Sequence, residues 1–255
     1  MRLDALLCKE GLFPSRNKSA QAINEGGVLY RGKIAKPSLD VEDLSEVTVL
    51  DRKDAFVSIG GYKLQKALDD FCYNPSCLTF ADIGASNGGF TDCLLKNGAK
   101  KVYAVDVGET QLEQVLLCDS RVIVKDNQNA RFLTEETLGE RVDGVTVDVS
   151  FISVTYILEG IKNVLKDGAG ALILIKPQFE CGKEYLGNSG IVKNERARHL
   201  AIKKVYDACL NIGLFAVDIT TAPIREKKNV EYVIMLKNSD KHGLLSANDV
   251  INKIR

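Results

Sequence analysis

The stretch Asp82-Ile83-Gly84-Ala85-Ser86-Asn87-Gly88-Gly89-Phe90-Thr91 follows an apolar run and leads into a helix-like one. Glycines placed there let backbone approach a ligand at the carboxyl end of a strand, where open α/β sheets bind their ligands. The spacing is not G-x-G-x-x-G, because Ser86 stands two residues after Gly84. An acid at Asp82 would repel a pyrophosphate seated on a helix N-terminus, but it suits a ligand with a cationic end. S-adenosylmethionine, with its amino group and sulfonium, is such a ligand. Asp106 in V-D-V-G, followed by Val107, ends the next apolar run and is placed to accept both hydroxyls of a ribose. A glycine turn serving packing alone is the competing account, and the two acids at strand ends favour the ligand.

Four more ionisable residues stand at the ends of apolar runs or at the start of the helical pattern. Lys63 lies in G-G-Y-K-L, Asp148 in V-D-V-S-F-I-S, Lys176 in I-L-I-K-P-Q-F-E and Glu231 in K-N-V-E-Y-V. One charged residue at a strand end is usually only solvated. Four that converge on the carboxyl edge of a sheet, beside the glycine loop, point to proton chemistry there. The segment from Gln178 to Val192 carries three glycines without periodicity and reads as a mobile substrate loop.

The elements that position these residues follow from the apolar pattern. Strand-like runs fall at 79–84, 101–107, 121–125, 142–149, 169–176, 214–221 and 231–236. Helix-like segments such as Leu64 to Phe71, Gly89 to Asn97 and Ile152 to Leu165 lie between most of them. Strands alternating with helices predict a parallel sheet covered on both faces. The last two runs are too close for a crossover helix and can pair antiparallel. From Ser239 to Arg255 the chain reads as a polar joint and a weak helix.

The first fifty residues read differently, as helix, helix and hairpin. Leu3, Leu6 and Leu7 have helical spacing up to Gly11, and Ser15 can cap a second helix that ends at Gly26-Gly27. Val28-Leu29-Tyr30 and Lys33-Ile34-Ala35 flank a turn at Arg31-Gly32. Residues 1–36 hold seven basic side chains against three acidic, and residues 37–55 hold six acidic against two basic. A basic start suggests a module with its own partner, nucleic acid first among the candidates, although an ordinary solvated face accounts for the charge equally well.

The pattern R-L-D-x-L-L followed by S-R-x-x-A-x-x-x-I-x-x-G-x-V-x-x-x-G resembles the S-four-type RNA-binding domain over residues 1–50. That resemblance implies RNA contacts from Arg2, Arg16, Lys18, Arg31 and Lys33. Residues 51–60 read as a linker strand. The blocks S-I-G-G-Y-K-L, D-I-G-A-S-N-G-G-F-T-D, D-V-S-F-I-S, K-P-Q-F-E and N-V-E-Y together resemble the TlyA family, rRNA 2′-O-methyltransferases often labelled haemolysins. The resemblance implies an FtsJ-like, Rossmann-like S-adenosylmethionine-dependent methyltransferase domain over residues 61–238, behind the small α+β RNA-binding domain, with residues 239–255 as a tail.

Carried over by motif, Lys63, Asp148, Lys176 and Glu231 form the catalytic tetrad. Asp82, Gly84, Ser86, Gly88, Gly89, Phe90, Asp106, Val107, Asn129 and Asp148 line the cofactor site. Ile59 stands where the family commonly has arginine before the glycine pair. The implied substrate is rRNA or a ribosomal subunit, with cytidine as the expected nucleotide. A 2′-hydroxyl must lose its proton as it attacks a methyl, and a desolvated lysine beside another cation can take it. Lys176 is the base in this reading and Lys63 the neighbouring cation.

Composition limits the alternatives. The 255 residues are 45% hydrophobic with zero formal net charge, enough apolar side chain for a buried core. The longest apolar run, Gly168–Ile175, is far short of the ~20 residues of a membrane span. A membrane-acting haemolysin would need a span or a strongly amphipathic basic helix, and neither is visible. A non-catalytic ribosome-binding module is disfavoured by the intact tetrad. Seven scattered cysteines without a C-x-x-C pair, and two isolated histidines, fit a reduced cytoplasmic protein with no metal site.

Overall fold

A computed structural model describes residues 1–24, 26–50, 56–187, 189–224, 227–239 and 245–254. At the N-terminus, α1 (Leu3–Lys9) and α2 (Arg16–Asn24) precede a small sheet of β1 (Val28–Tyr30), β2 (Lys33–Ile34) and β3 (Val47–Val49), ordered β2-β1-β3. Ser15 accepts a hydrogen bond from the Lys18 N–H at 3.2 Å, the cap expected for α2. Leu3, Leu6 and Leu7 bury one face of α1 against Ile23, Val28, Ala35 and Val41. The third strand has no counterpart in the sequence reading. Its short, half-exposed V-T-V carries no alternation strong enough to mark it.

The second region holds α3 (Ile59–Asp70), β4 (Thr79–Ile83), α4 (Gly89–Lys96), β5 (Lys101–Val105), α5 (Gln114–Leu117), β6 (Val122–Lys125), α6 (Glu135–Leu138) and β7 (Val142–Val147). It continues through α7 (Leu158–Val164), β8 (Leu165–Ile175), α8 (Pro177–Glu180), α9 (Glu195–Asn211), β9 (Phe215–Thr221), β10 (Tyr232–Lys237) and α10 (Ala247–Asn252). Its seven strands run β6-β5-β4-β7-β8-β10-β9. Neighbours from β6 to β8 are parallel, and β10 pairs antiparallel with both β8 and β9.

Successive residues of one strand feed opposite cores, as a pleat covered on both faces requires. On β8, Ala171, Ile173 and Ile175 join the core beneath α7 and α9, whereas Leu172 and Leu174 join the one beneath α3 and α4. On β4, Ala81 and Ile83 take the first side and Phe80 the second.

The linker strand expected over 51–60 does not extend to residue 60. Ser58 is extended and Ile59 already begins α3, because the bare faces of Gly60 and Gly61 let this turn press against Phe90 and Phe56. Residues 51–55 lie outside the described residues. The tail is part of the body of the fold, with Val250 fully buried on α10 and Leu245, Ile251 and Ile254 packed against the first core. Among the described residues no helix is long and apolar enough to cross a membrane.

Candidate active site

The site lies at the carboxyl end of the central parallel strands, where β4 and β7 stop side by side. Gly84 leaves β4 with φ of +81°, and a Cβ there would stand 2.7 Å from the Asp148 carbonyl oxygen. Only glycine allows the two strand ends to approach this closely. The loop turns again at Gly88, φ +87°, which starts α4.

A cleft opens above this crossing. Its walls are Ser58, Gly60, Gly84 to Asn87, Gly89, Phe90, Asp148, Ser150 and Lys176. The glycine loop and part of the tetrad therefore line one space.

The tetrad is arranged as two ion pairs. Lys176 Nζ lies 2.6 Å from Asp148 Oδ1, and it also donates to Ser150 Oγ at 2.6 Å. Lys63 Nζ lies 2.6 Å from Glu231 Oε2. Sheet register brings the pairs together. Tyr232 faces Ile175 across β10 and β8, so Glu231 and Lys176, one step beyond, are neighbours at the same sheet edge. The side chain of Lys176 is only 9% exposed, and those of Asp148, Lys63 and Glu231 are 16 to 20%. In such surroundings an ion pair holds its geometry far better than one at the surface.

Asp82 is a correction to the sequence reading. Its carboxyl is fully buried beneath the loop and accepts hydrogen bonds from Thr91 Oγ1 at 2.7 Å and Thr146 Oγ1 at 3.0 Å. A direct contact with a cationic ligand is not open to it. Instead it ties α4 and β7 together beneath the cleft. Burial pushes its pKa up to about 7, against the pull of the two hydroxyls and with help from Asp148.

Asp106 ends β5 with both oxygens facing backbone, one toward the Ser86 N–H at 3.0 Å and the other toward the Gly108 N–H at 3.3 Å. It thereby ties the glycine loop to the adjacent strand end. Val107 follows it, 71% exposed. The Gln128 N–H donates to the Asp106 carbonyl at 2.8 Å, which brings the segment of Asn129 alongside. Asn129 Oδ1 caps the 3-10 turn 130–132 through the Arg131 N–H. Among the expected cofactor residues, Gly84, Ser86, Gly89, Phe90 and Asp148 line the cleft wall, whereas Gly88, Asp106, Val107 and Asn129 are not part of it.

The segment 178–192 is not the free loop its composition suggests. It contains α8 and a 3-10 turn over 183–185, and Asn229 fastens its far end. Asn229 Oδ1 accepts from the Val192 N–H at 2.8 Å, and its amide donates to the Gly190 carbonyl at 3.0 Å.

The sequence reading gives no site role to Ser58, Gly60, Ala85, Asn87 and Ser150, which line the cleft, nor to Phe151 in the loop after β7. Ser150, the second partner of Lys176, is an ordinary serine in a loop. Phe151 is 88% exposed with φ of +68°, a backbone conformation costly for an aromatic residue, and its ring lies 5.4 Å from that of Phe179. Nothing in D-V-S-F-I-S, where Val149 and Ile152 are apolar too, marks it.

In the N-terminal region Arg2 and Arg16 both reach the buried carboxylate of Asp4, at 2.8 and 3.2 Å. They remain 46 and 55% exposed. Arg31 pairs with Glu46 and lies over the Tyr30 ring, Lys18 donates to Gln21, and Lys33 is exposed. Among the described residues no cluster of histidine, cysteine and acidic side chains could hold a metal ion.

Residues 56–239 match the model of the FtsJ-like methyltransferases, and residues 1–46 match the S4 domain. The chain is 38% identical to the 16S/23S rRNA (cytidine-2′-O)-methyltransferase TlyA of Mycobacterium tuberculosis, over 95% of this chain and 92% of that one. The solved structure of a protein named as a candidate hemolysin from Streptococcus thermophilus is 35% identical, covers 99% of this chain and 94% of that one, and superposes with a TM-score of 0.73. An S-adenosylmethionine-dependent methyltransferase from Mesorhizobium loti shares the fold alone, at 12% identity and a TM-score of 0.52, over 71% of this chain and all of that one.

Proposed function

Since the chain belongs to the FtsJ-like methyltransferases and carries an S4 domain at its N-terminus, we propose that it methylates the ribose 2′-hydroxyl of a cytidine in ribosomal RNA, with S-adenosylmethionine as donor. The observation that carries this reading is the single cleft lined both by the glycine loop and by Lys176, Asp148 and Ser150. A methyl donor held on the loop is thereby set beside groups able to handle a hydroxyl proton.

The donor site fits a nucleoside with a cationic tail. Asp106 stands at the strand end next to the loop and can accept ribose hydroxyls through the free lone pairs of its two oxygens. The carboxylate of Asp148 and the loop backbone line the cleft where the charged end would lie. When bound, S-adenosylmethionine supplies an electrophilic methyl.

This chain's own residues do the rest. Lys176 Nζ is fixed by two acceptors, Asp148 and Ser150, so it keeps one position at the cleft wall. An incoming 2′-hydroxyl displaces Ser150 from Lys176, and the lysine, once it has passed its own proton to solvent, takes the hydroxyl proton as the oxygen attacks the methyl. Lys63, held by Glu231 at the same sheet edge, stabilises the developing negative charge. Much of the rate comes from setting donor and hydroxyl in line. Phe151 offers an exposed ring on which a base beside the reacting ribose can stack. The half-exposed cations of the first fifty residues then contribute phosphate contacts, and the protein works where ribosomal RNA is, in the cytoplasm.

Purified protein with S-adenosylmethionine and ribosomal subunits, followed by mass-spectrometric mapping of the rRNA, tests the reading. A new 2′-O-methylcytidine in the treated RNA is the expected result. Methyl transfer to a base nitrogen or carbon, or none at all, would sink it.

A further inference from the structure

The K-P-Q-F-E block has a role for its glutamate that the tetrad does not use. Glu180 stands at the end of α8, one turn after Lys176, and is buried with its side chain 2% exposed. A carboxylate so far from water must be fully partnered. Ser153 Oγ donates to Oε2 at 2.5 Å, the Val154 N–H donates to Oε1 at 2.7 Å, and Lys204 Nζ on α9 lies 3.3 Å from Oε2. Lys204 also donates to Ser153 Oγ at 3.2 Å and to the Glu180 carbonyl at 3.1 Å.

Residues 176–180 and 148–154 thus meet at three successive points. Lys176 holds Asp148 and Ser150, Phe179 packs on Phe151, and Glu180 holds Ser153 and Val154. The first contact lines the cleft, the second follows it along both segments, and the third is a buried anchor. We infer that Glu180 is a positioning residue for methyl transfer: by clamping the S-F-I-S loop to the segment after β8, it fixes where Asp148 and Ser150 hold Lys176 Nζ. This rests on the methyl-transfer reading above. Pro177 supports the arrangement, because its fixed φ starts α8 directly after Lys176 and so sets the one-turn offset to Glu180.

The test uses Glu180→Gln in the full chain, which keeps the shape and leaves one oxygen for the Val154 N–H. The expected result is single-turnover methyl transfer slower by about 30-fold, with affinities for S-adenosylmethionine and rRNA within about twofold of wild type. Ser153→Ala, which removes one partner and perturbs packing less, should slow transfer about fivefold, and the double variant should be no worse than Glu180→Gln alone, since the same clamp is broken in both. A Glu180→Gln rate within about threefold of wild type overturns the inference, as does a parallel fall in rate, both affinities and melting temperature. Should Glu180→Gln not fold, Ser153→Ala decides, and an unchanged rate there overturns it. An inactive wild-type protein would overturn the methyl-transfer reading instead. Positioning is then read from a crystal structure of Glu180→Gln, where a lengthened Lys176–Asp148 contact supports it and an unchanged one overturns it.

Discussion

Asp4 in the N-terminal region and Asp82 in the methyltransferase region are both buried carboxyls close to the first core element of their domain, yet they are held by opposite means. Asp4 is met by two guanidinium groups, Arg2 and Arg16, which keep its pKa below the usual carboxylate range. Asp82 is met by hydroxyls and a backbone N–H but by no cation, and burial raises its pKa to about 7. The cations of the two regions differ in the same sense. Arg2, Arg16 and Arg31 are roughly half exposed or more, whereas Lys176 and Lys63 are mostly buried against their carboxylates. The Arg31–Glu46 pair, exposed on both sides, can exchange its carboxylate for a phosphate at small cost because water and salt already screen it, whereas Arg2 and Arg16 stay on the buried Asp4 and offer a phosphate their remaining donors. A buried lysine–carboxylate pair cannot be exchanged and holds a geometry instead. On the function proposed above, the first region meets polyanion along a surface and the second holds atoms in place.

The sharpest break of this contrast is at Lys176. Lys176→Ala should lower methyl transfer by about a thousandfold or more, the scale of a missing general base, while S-adenosylmethionine binding measured by calorimetry persists. Lys176→Arg should fail as well, because a guanidinium cannot accept the proton. An arginine variant with substantial activity would recast Lys176 as a fixed charge. At the donor side, Asp106→Ala should weaken S-adenosylmethionine binding by about tenfold or more by leaving ribose hydroxyls without acceptors, with rRNA affinity unchanged. Equal calorimetric affinities would remove Asp106 from the site.

The N-terminal half of the contrast is tested by charge removal in the full chain. Lys18→Ala with Lys33→Ala should weaken rRNA binding by about fivefold and flatten the log–log salt slope by roughly 0.7 to 0.9 for each phosphate no longer neutralised. Cofactor affinity should not move. A salt slope equal to that of wild type would mean these lysines face away from RNA.

The smallest effect is on stability against pH. For Asp82 the folded pKa, about 7, lies above the unfolded value of 3.8, so the folded state holds the proton more tightly. Its stabilising contribution is complete below 3.8 and is lost as pH rises through about 7. For Asp4 the sign reverses, with stability present above 3.8 and lost as pH falls through its lowered folded value. Asp82→Asn should therefore gain on wild type in melting temperature as pH rises from about 5 to about 8. A constant difference across that range would show that the buried carboxyl does not titrate with folding.

Some of the site is legible from local pattern. A strand run ending in Asp82-Ile83-Gly84, the next ending at Asp106, and lysines and acids at later run ends locate the cleft without coordinates, because strand ends in a parallel sheet share one edge. Asp82 itself misleads, since an acid before a glycine loop looks the same in sequence whether it faces a ligand or two threonines beneath it. Ser150 and Phe151 stay hidden because their roles depend on a loop conformation, φ of +68° at Phe151, that no periodicity reports.

Short-range spacing and side-chain type are enough to set the alternation of strands and helices, the glycines at the end of β4, and the order of Lys63, Asp148, Lys176 and Glu231 along the chain. Which lysine meets which acid is settled in three dimensions. Lys176 joins Asp148 because β8 lies parallel beside β7, and Lys63 joins Glu231 because β10 inserts between β8 and β9 in the register that sets Tyr232 against Ile175. The same folding turns Glu180 inward to Ser153, Val154 and Lys204. Pairings between distant segments depend on strand order and on the burial that excludes water, and neither is encoded in any window short enough to read as a motif.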